Sequence, residues 1–353
     1  MERALATIRR IDNIEPIENA DMIEVATVGG WKVVITKKDN FKINDLCVYF
    51  EIDSLLPECE LFEFLRESKF RIKTKKLRGV VSQGICFPLQ ILSKFGYMKY
   101  EDDQLIVVDK NDIIYYIIED LDVTQLIGVI KYEPSVHVSL SGLVRGGFPG
   151  QVPKTDAERI QNLVRNFEQW KELDYIWTLT EKLDGTSVTF IMNEGEFHVC
   201  SRNLDLKETE DNVYWQIAKK YNIQEIMSKY NINFAIQGEI VGPGIQKNKY
   251  ELKEKEVYFF GAFYIDEQKY FNNSLFLEFL YTNDLQGVPQ IATDILLNQY
   301  SVEDLIKLVE GKSKLNNKIE REGIVFKSYS SDRNFGEICF KVINNKFLLK
   351  YED

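Results

Sequence analysis

The sequence is poor in the residues that build metal centres and disulfide frameworks. Its 353 residues include two histidines, at positions 137 and 198, and five cysteines with no CxxC pair among them. Zinc sites need clustered cysteine and histidine ligands, so this spacing excludes an encoded zinc site. Scattered cysteines in an intracellular chain are typical of buried thiols that pack as small apolar side chains.

Long apolar runs are also missing. No stretch approaches the roughly 20 apolar residues that a membrane span needs, and the N-terminus opens into charged, alternating sequence without an apolar signal core. We therefore expect an intracellular protein that does not bind membranes. Low-complexity runs are absent too, which favours a globular chain, and its length suits two domains.

Positive charge is scarce overall but concentrated in one place. The net charge of −11 argues mildly against a protein that coats nucleic acid. Lys69 to Arg78 nevertheless reads KFRIKTKKLR, a basic run without an acid. A solvated strand face and a nucleic-acid groove fit this run equally well, because its basic residues are interspersed with Phe70, Ile72 and Leu77. The candidate nucleic-acid contacts are Lys73, Lys75, Lys76 and Arg78.

Short alternating segments fill roughly the first 120 residues. Examples are Trp31–Thr36, Leu46–Ile52 and Val80–Ile85, which are separated by glycine, asparagine and proline breaks. Five or six such strands in about 110 residues fit an OB-type β-barrel, whose open face binds oligonucleotides. We place this domain at residues 1–125 and a linker containing glycine, serine and proline at residues 126–150.

The remaining residues, 151–353, predict an α+β domain with antiparallel sheets. Apolar spacing indicates helices at Ala157–Leu173, Asn212–Tyr230, Leu275–Tyr281 and Val302–Val309. Alternation indicates strands at Ile176–Leu179, Ser187–Met192, Phe234–Val241, Val257–Ile265, Gly323–Ser328 and Glu337–Ile343.

One lysine in this second domain has the setting of a nucleophile. The segment TEKLDGTS (180–187) places Lys182 between a strand and a glycine turn, with Asp184 two residues on. A KxDG pattern alone would also describe a surface lysine in a hairpin. Five further elements follow in order: SRN (201–203), GEIVGP (238–243), the aromatic stretch 257–266, EGIVFK (322–327) and FK (340–341). Together they resemble the covalent nucleotidyltransferases, the superfamily of ATP-dependent ligases and mRNA capping enzymes.

Two sequence motifs narrow the resemblance to one class of ligase. GEIVGPGIQ (238–246) and PKTDAERIQN (153–162) look like RNA ligases rather than DNA ligases. DNA ligases and capping enzymes carry an OB domain after the catalytic domain, whereas here the predicted barrel comes first. This order resembles the Naegleria- and Deinococcus-type RNA ligases. It implies an N-terminal OB domain followed by an ATP-grasp-like nucleotidyltransferase domain.

The resemblance implies an ATP-dependent RNA ligase that seals 3′-hydroxyl and 5′-phosphate ends. Lysyl-AMP on Lys182 and an adenylylated 5′ end would be the intermediates. The expected substrate is RNA or an RNA-containing nicked duplex, and we expect a monomer. Two alternatives stay open: a GTP-dependent capping-type guanylyltransferase, which shares the Lys-x-Asp-Gly motif, and a ligase-like nucleic-acid-binding protein without activity.

Attack by a lysine on phosphorus requires positive charge around that lysine. A free lysine has a pKa of about 10.4 and must lose its proton before it attacks phosphorus. We expect Lys327, Lys341 and a bound metal to lower the pKa of Lys182. Asp184 and Glu322 are the candidate carboxylates for a hydrated Mg²⁺, for which Mn²⁺ can substitute. A surface acid is the other interpretation of Glu322.

Binding roles for the nucleotide follow from the same resemblance. It implies that Glu239 binds the ribose hydroxyls, that Arg202 contacts phosphates and that Glu181 accepts from the adenine amino group. Phe263, with Phe260 as the alternative, is the candidate to stack on adenine, although a core aromatic fits as well. The sequence departs from many relatives at Ile343, where they have a second lysine. Lys346 could compensate, or it could be an ordinary residue after the strand.

Overall fold

The computed structural model describes residues 3–132, 142–173, 175–329 and 337–351. The chain divides into two compact units, Met1–Ser135 with Leu348–Asp353, and Val136–Phe347. Within the described residues, no helix is long and apolar enough to cross a membrane.

The first unit is built almost entirely from short antiparallel strands. Its strands are β1 Ala6–Arg10, β2 Asn13–Pro16, β3 Ile23–Val28, β4 Trp31–Thr36, β5 Leu46–Phe50, β6 Ser54–Leu55, β7 Lys75–Leu77, β8 Val80–Ser82, β9 Ile85–Pro88, β10 Tyr97–Glu101, β11 Gln104–Val108, β12 Ile114–Tyr116 and β13 Ile130–Lys131. Helical turns are few: α1 Thr124–Ile127 and the 3₁₀ segments Lys37–Asp39, Glu60–Ser68 and Leu89–Lys94.

Alternation along these strands produces the core of the first unit. In β4, Trp31, Val33 and Ile35 are buried while the residues between them are partly exposed. The strands form sheets in the orders β1-β5-β9, β2-β3-β4 and β10-β11-β12, and their inner faces share one apolar cluster. The predicted strand at 31–36 is therefore confirmed and the one at 46–52 is confirmed as far as Phe50, although the unit holds more and shorter strands than expected.

The basic run is not the continuous strand that its sequence suggested. Lys69 and Phe70 have φ of 53° and 59°, which breaks extended structure at its start. Phe70 and Ile72 are buried, whereas Leu77 is 39% exposed. Only residues 75–77 form a strand, which pairs with β8 in a two-stranded hairpin. We call residues 73–82 the basic hairpin.

The second unit contains two larger sheets with helices against them. Its strands are β14 Val144–Gly147, β15 Glu158–Arg159, β16 Ile176–Lys182, β17 Thr186–Asn193, β18 Glu196–Cys200, β19 Leu204–Leu206, β20 Phe234–Val241, β21 Glu256–Tyr264, β22 Lys269–Tyr270, β23 Gln290–Leu296, β24 Gly323–Tyr329 and β25 Glu337–Ile343. Its helices are α2 Val164–Glu172, α3 Val213–Lys220, α4 Ile223–Ser228, α5 Asn273–Thr282 and α6 Val302–Leu308, with a 3₁₀ turn at Ile160–Asn162. Helix α7, Asn345–Tyr351, is divided between the units, since its residues from Leu348 on belong to the first.

The strand orders bring distant motifs together. The seven-stranded sheet runs β14-β19-β18-β17-β20-β21-β22, and the five-stranded sheet runs β15-β25-β24-β16-β23. Helices α3, α4 and α5 contribute buried side chains to the core of the larger sheet, and α2 and α6 to the core of the smaller one. The α+β class is thus confirmed, and β16 and β17 belong to different sheets, so the KxDG turn passes from one to the other.

Two predicted helices differ from the structure. Residues 157–162 are not α-helical, because Glu158 and Arg159 extend alongside Phe340 and Lys341 in a parallel pairing and Ile160–Asn162 form a 3₁₀ turn. The predicted helix Asn212–Tyr230 is divided into α3 and α4, since Asn222 has a left-handed φ of 50°. Part of the predicted linker, residues 133–141, lies outside the described residues, while β13 pairs with β6 and β14 with β19.

Candidate active site

The KxDG turn is tightly packed. Lys182 ends β16, where it pairs with Gly323 of β24, and Thr186 begins β17. A Cβ atom on Gly185 would lie 2.3 Å from the Ile240 carbonyl oxygen, and one on Gly323 would lie 2.3 Å from that of Val342. Both positions therefore require glycine, because the backbones approach too closely for any side chain. This packing fixes the start of the Lys182 side chain.

Lys182 lies among carboxylates. Its Nζ donates to Glu322 Oε1 at 2.7 Å. Burial disfavours its charged form, but attraction to Glu322, Glu239 and Asp184 exceeds that effect and raises the pKa of Lys182 above its ordinary value. Lys327 and Lys341 alone therefore do not lower this pKa, since three acids surround the ammonium, and the lowering expected from these lysines together with a bound metal stays a prediction.

Glu322 contacts Lys182 through one of its two carboxylate oxygens. Its Oε2 is buried and has no hydrogen-bond partner among the described residues. Burial raises the pKa of Glu322, and the charges of Lys182 and Lys341 only partly offset this. The alternative interpretation of Glu322 as a surface acid does not fit, because its side chain is 15% exposed.

Glu239 meets the turn from the other sheet. It lies on β20 opposite Ser187 of β17, and its Oε1 accepts a hydrogen bond from the Gly185 N–H at 3.1 Å. Burial raises the pKa of Glu239 to about 8, against the opposing effect of Lys182. Glu239 therefore contacts the backbone of the turn directly.

Asp184 is held from outside both sheets. Its backbone N–H donates to the Tyr250 hydroxyl at 2.7 Å, and its carboxylate forms an ion pair with Lys249. Both charged side chains are largely shielded, with 16% exposure for Asp184 and 13% for Lys249. Asp184 is thus anchored through its backbone and its side chain.

Three lysines share one face of the five-stranded sheet. Lys182 of β16 lies opposite Gly323 of β24, which in turn lies opposite Ile343 of β25. Two residues further along β24, Val325 lies opposite Lys341. Lys327 is two residues beyond Val325, so the alternation of the strands puts Lys182, Lys327 and Lys341 on the same face. The Lys327 Nζ donates to the Phe260 carbonyl oxygen at 2.8 Å and lies 5.8 Å from the ring centroids of Phe260 and Tyr270.

Glu181 belongs to the opposite face of β16. Its Oε2 accepts from the Lys314 N–H at 2.7 Å, and its Oε1 is buried without a hydrogen-bond partner among the described residues. Burial raises the pKa of Glu181, and hydrogen bonds from Ser313 and Lys314 partly offset this. One acceptor atom is therefore left open on β16, on the face away from the Lys182 side chain.

Comparison with known proteins identifies the family. An OB-fold domain profile matches residues 5–89, and an RNA ligase profile matches residues 176–343. The solved structure of Naegleria gruberi RNA ligase with PPi is 33% identical, covers 100% of both chains and superposes with a TM-score of 0.86. The chain belongs to the RNA ligase family. Structures of a lysine-to-alanine variant of the same ligase with ATP and Mn, and of a glutamate-to-alanine variant with AMP and Mn, are also 33% identical over 99% of each chain, with TM-scores of 0.85. A search of curated proteins gave no match.

The two aromatic candidates of this RNA ligase family member differ in setting. Phe263 is 5% exposed and packs in a core cluster with Ile191, Ala235 and Cys200. Phe260 lies at an irregularity in the pairing of β20 with β21, is less buried and has Lys327 beside its ring. The geometry favours Phe260, the alternative, as the aromatic partner for adenine.

Arg202 is exposed and pairs with an acid. It forms an ion pair with Asp156, while the neighbouring Asn203 side chain accepts from Lys154 Nζ at 3.0 Å. The PKTDAERIQN segment thus contacts the SRN turn, which joins two of the motifs in the RNA ligase pattern. Phosphate binding by Arg202 stays a prediction.

Sequence reasoning missed Lys249 and Tyr250. They follow the GEIVGPGIQ phrase by a few residues but belong to no spacing pattern. The metal prediction at Asp184 and Glu322 also stays untested. Among the described residues, no group of three or more His, Cys, Asp or Glu side chains is arranged to hold a metal ion.

Proposed function

We propose that this chain is an ATP-dependent RNA ligase that joins 3′-hydroxyl and 5′-phosphate ends through an adenylate on Lys182. The observation that carries the proposal is the setting of Lys182: a fixed turn, three carboxylates within electrostatic reach and two further lysines on the same sheet face. An intracellular monomer that acts on RNA or on RNA-containing nicked duplexes is the form we propose.

The first step forms a phosphoramidate. The neutral Nζ of Lys182 attacks the α-phosphorus of ATP, an N–P bond forms and the bond to pyrophosphate breaks. Lys327 and Lys341 add positive charge on the same face, where negative charge develops on the phosphoryl oxygens. Entry of the triphosphate would also change the partners of Lys182, which in the isolated chain favour its protonated form.

The carboxylates fit a hard divalent cation. Asp184 and Glu322 offer oxygen donors, and the buried Glu322 Oε2 needs a partner that the described residues do not supply. Magnesium keeps several waters and binds through one or two protein oxygens, so a pair of acids suffices. A bound Mg²⁺, or Mn²⁺ in its place, would neutralise charge on the α-phosphate.

The adenosine would lie against residues of both sheets. Glu239 Oε1 is held by the Gly185 amide, which leaves Oε2 for the ribose hydroxyls. The family resemblance gives Glu181 as acceptor for the adenine amino group, although its open Oε1 lies on the face of β16 away from the Lys182 side chain. Phe260 offers a ring face, and hydrogen bonding by Glu181 would favour adenine over guanine, which presents a carbonyl at the same position.

Two further steps complete sealing. The 5′-phosphate attacks lysyl-AMP and takes the AMP, which frees Lys182, and the 3′-hydroxyl then attacks that phosphate and releases AMP. Arg202 would contact the incoming phosphates. The exposed Lys75, Lys76 and Arg78 of the basic hairpin would hold the nucleic acid by phosphate contacts, together with Lys73. We propose nicks in duplexes as the site of sealing.

A labelling experiment separates the candidate functions. The full chain is incubated with Mg²⁺ and α-labelled ATP or GTP without nucleic acid, and the products are run on a denaturing gel. We expect covalent label from ATP alone, stable in alkali and labile in acid as a phosphoramidate is. Label from GTP alone would instead indicate a capping-type enzyme, and no label from either would indicate an inactive binding protein. Nicked duplexes with RNA or DNA on the 3′-hydroxyl side then test sealing.

A further inference from the structure

A loop after β20 wraps the nucleophile turn. Gln246 Nε2 donates to the Gly185 carbonyl oxygen at 3.4 Å, Lys249 pairs with the Asp184 carboxylate, and the Tyr250 hydroxyl accepts from the Asp184 N–H. Tyr250 is 5% exposed and packs with Leu183. Residues 246–250, which we call the clamp loop, therefore contact the turn at three points.

The clamp loop has an uncommon backbone. Gln246, Lys247 and Asn248 have φ of 44°, 59° and 46°, in the left-handed region that L-residues rarely adopt in succession. Residues in this region are strained and persist where surrounding contacts hold them. Here the Asn248 side chain exchanges two hydrogen bonds with the Leu252 backbone, at 3.0 and 3.1 Å. The loop is held in a conformation that delivers Lys249 to Asp184.

The ion pair of Lys249 with Asp184 is shielded on several sides. Lys249 Nζ lies 5.3 Å from the centroid of the Phe347 ring, and its backbone carbonyl accepts from Asn316 Nδ2 at 3.2 Å. Shielded ion pairs contribute little net stability, because desolvation of both charges offsets their attraction. Their benefit is geometric, since the ammonium restricts the carboxylate to one orientation.

We propose that Lys249 is a positioning residue for the adenylation step, which fixes the Asp184 carboxylate next to Lys182 so that it serves the divalent cation. The inference rests on the proposed function, because it assigns Lys249 to the same reaction. Lys249 itself forms no bond to the reacting atoms. Tyr250 assists by holding the Asp184 backbone.

The test compares three substitutions in the full chain. Lys249→Met removes the ammonium and keeps an apolar stem, Lys249→Arg restores a cation, and Lys253→Met is the matched control at an exposed lysine four residues on. Rates of self-adenylation are measured over a range of Mg²⁺ concentrations. We expect Lys249→Met to raise the half-maximal Mg²⁺ concentration by about 10-fold to 100-fold, as for other residues that orient a metal-binding group.

The control variants should separate positioning from folding. Lys249→Arg should recover most of the Mg²⁺ dependence, and Lys253→Met should match the unsubstituted chain. Melting temperatures are measured for all three variants. If Lys249→Met lowers the melting temperature but leaves the Mg²⁺ dependence unchanged, Lys249 is a structural residue and the inference is overturned.

A second readout does not depend on turnover. In a Lys182→Met background that cannot react, binding of Mn²⁺ in the presence of ATP is followed by the loss of its free paramagnetic resonance signal. Adding Lys249→Met should weaken this binding by about 10-fold or more, and unchanged binding overturns the inference. Absence of label on the unsubstituted chain would refute the proposed function instead, whether or not Mn²⁺ binding shifts.

Discussion

The lysines of the active site and those of the basic hairpin have opposite surroundings. Lys182 and Lys249 are shielded and pair with Glu322 and Asp184, and Lys327 is 6% exposed with its Nζ on a carbonyl oxygen. Lys75 and Lys76 are exposed and form no ion pair with a described residue. The active-site lysines therefore hold their charges at fixed positions, whereas the lysines of the basic hairpin present their charges to solvent.

The difference predicts two kinds of failure. A buried charge that loses its partner cannot be replaced by solvent, so changes in the active site should be large and specific to one chemical step. An exposed charge acts over the Debye length and is screened by salt, so changes in the hairpin should be graded and salt-dependent. Substitutions in the two regions can therefore test the comparison directly.

The largest effect is expected at Lys182. Lys182→Ala removes the nucleophile, and Lys182→Arg replaces it with a guanidinium that stays protonated in proteins. Both variants should give no covalent label with ATP and Mg²⁺ on a denaturing gel, while Lys253→Ala should label normally. Label on Lys182→Ala at the unsubstituted level would place the adenylate on another residue.

A nearly equal loss is expected at the two acids. Glu322→Gln keeps the shape but removes a charge, and Asp184→Asn does the same at the turn. Either change should slow self-adenylation by about 1,000-fold, because metal-assisted charge stabilisation contributes several kcal/mol. Glu320→Gln, at a partly buried neighbour that pairs with Lys312, is the control. Near-normal labelling of Glu322→Gln would show that the metal is held elsewhere.

The sequence predicted the parts of this site that depend on local pattern. β20 and β25 have the predicted bounds, and Lys327 and Lys341, which the family motifs grouped with Lys182, lie on its face of the sheet. The spacing of the motifs also predicted the family. These features could be read because strand periodicity and glycine turns are set by neighbouring residues.

Other features depend on contacts between distant segments. Arg159 lies in a segment whose apolar spacing predicted a helix, but it is extended and pairs with Lys341. The clamp loop reaches Asp184 through three residues with left-handed backbone. The preference for Phe260 over Phe263 follows from an irregular strand pairing. The raised pKa of Lys182 depends on acids from three separate segments, whereas the predicted lowering depends also on a bound metal.

A smaller, graded effect is expected at the basic hairpin. Lys75→Glu, Lys76→Glu and Arg78→Glu together should leave self-adenylation unchanged, since none of these residues belongs to the site around Lys182. Sealing of nicked duplexes should weaken, and the salt dependence of binding should flatten by about one unit of slope for each phosphate that the hairpin no longer neutralises. Binding is measured over a series of salt concentrations.

A matched control exists in the same unit. Lys37, Lys38 and Lys42 are also exposed, so their reversal to glutamate changes the net charge equally at another surface. If both triple variants reduce sealing to the same extent, overall charge matters and the hairpin has no special part. If the hairpin variant seals normally with an unchanged salt slope, the catalytic domain grips the substrate by itself.

The smallest effect is expected at Lys346, which could have replaced the cation missing at Ile343. Ile343 is 4% exposed and lies on the same sheet face as Lys182. Lys346, by contrast, is an exposed residue of α7, and its Nζ pairs with Glu310 at 2.6 Å. A surface ion pair of this kind contributes little, and its lysine is already engaged away from the nucleophile. Lys346→Met should therefore leave the rate of self-adenylation and its Mg²⁺ dependence unchanged, with Glu310→Gln as the matched variant for loss of the pair. A rate about tenfold slower in Lys346→Met alone, roughly the effect of removing one charge-assisted hydrogen bond to phosphate, would mean that Lys346 leaves Glu310 to bind ATP and compensates for Ile343.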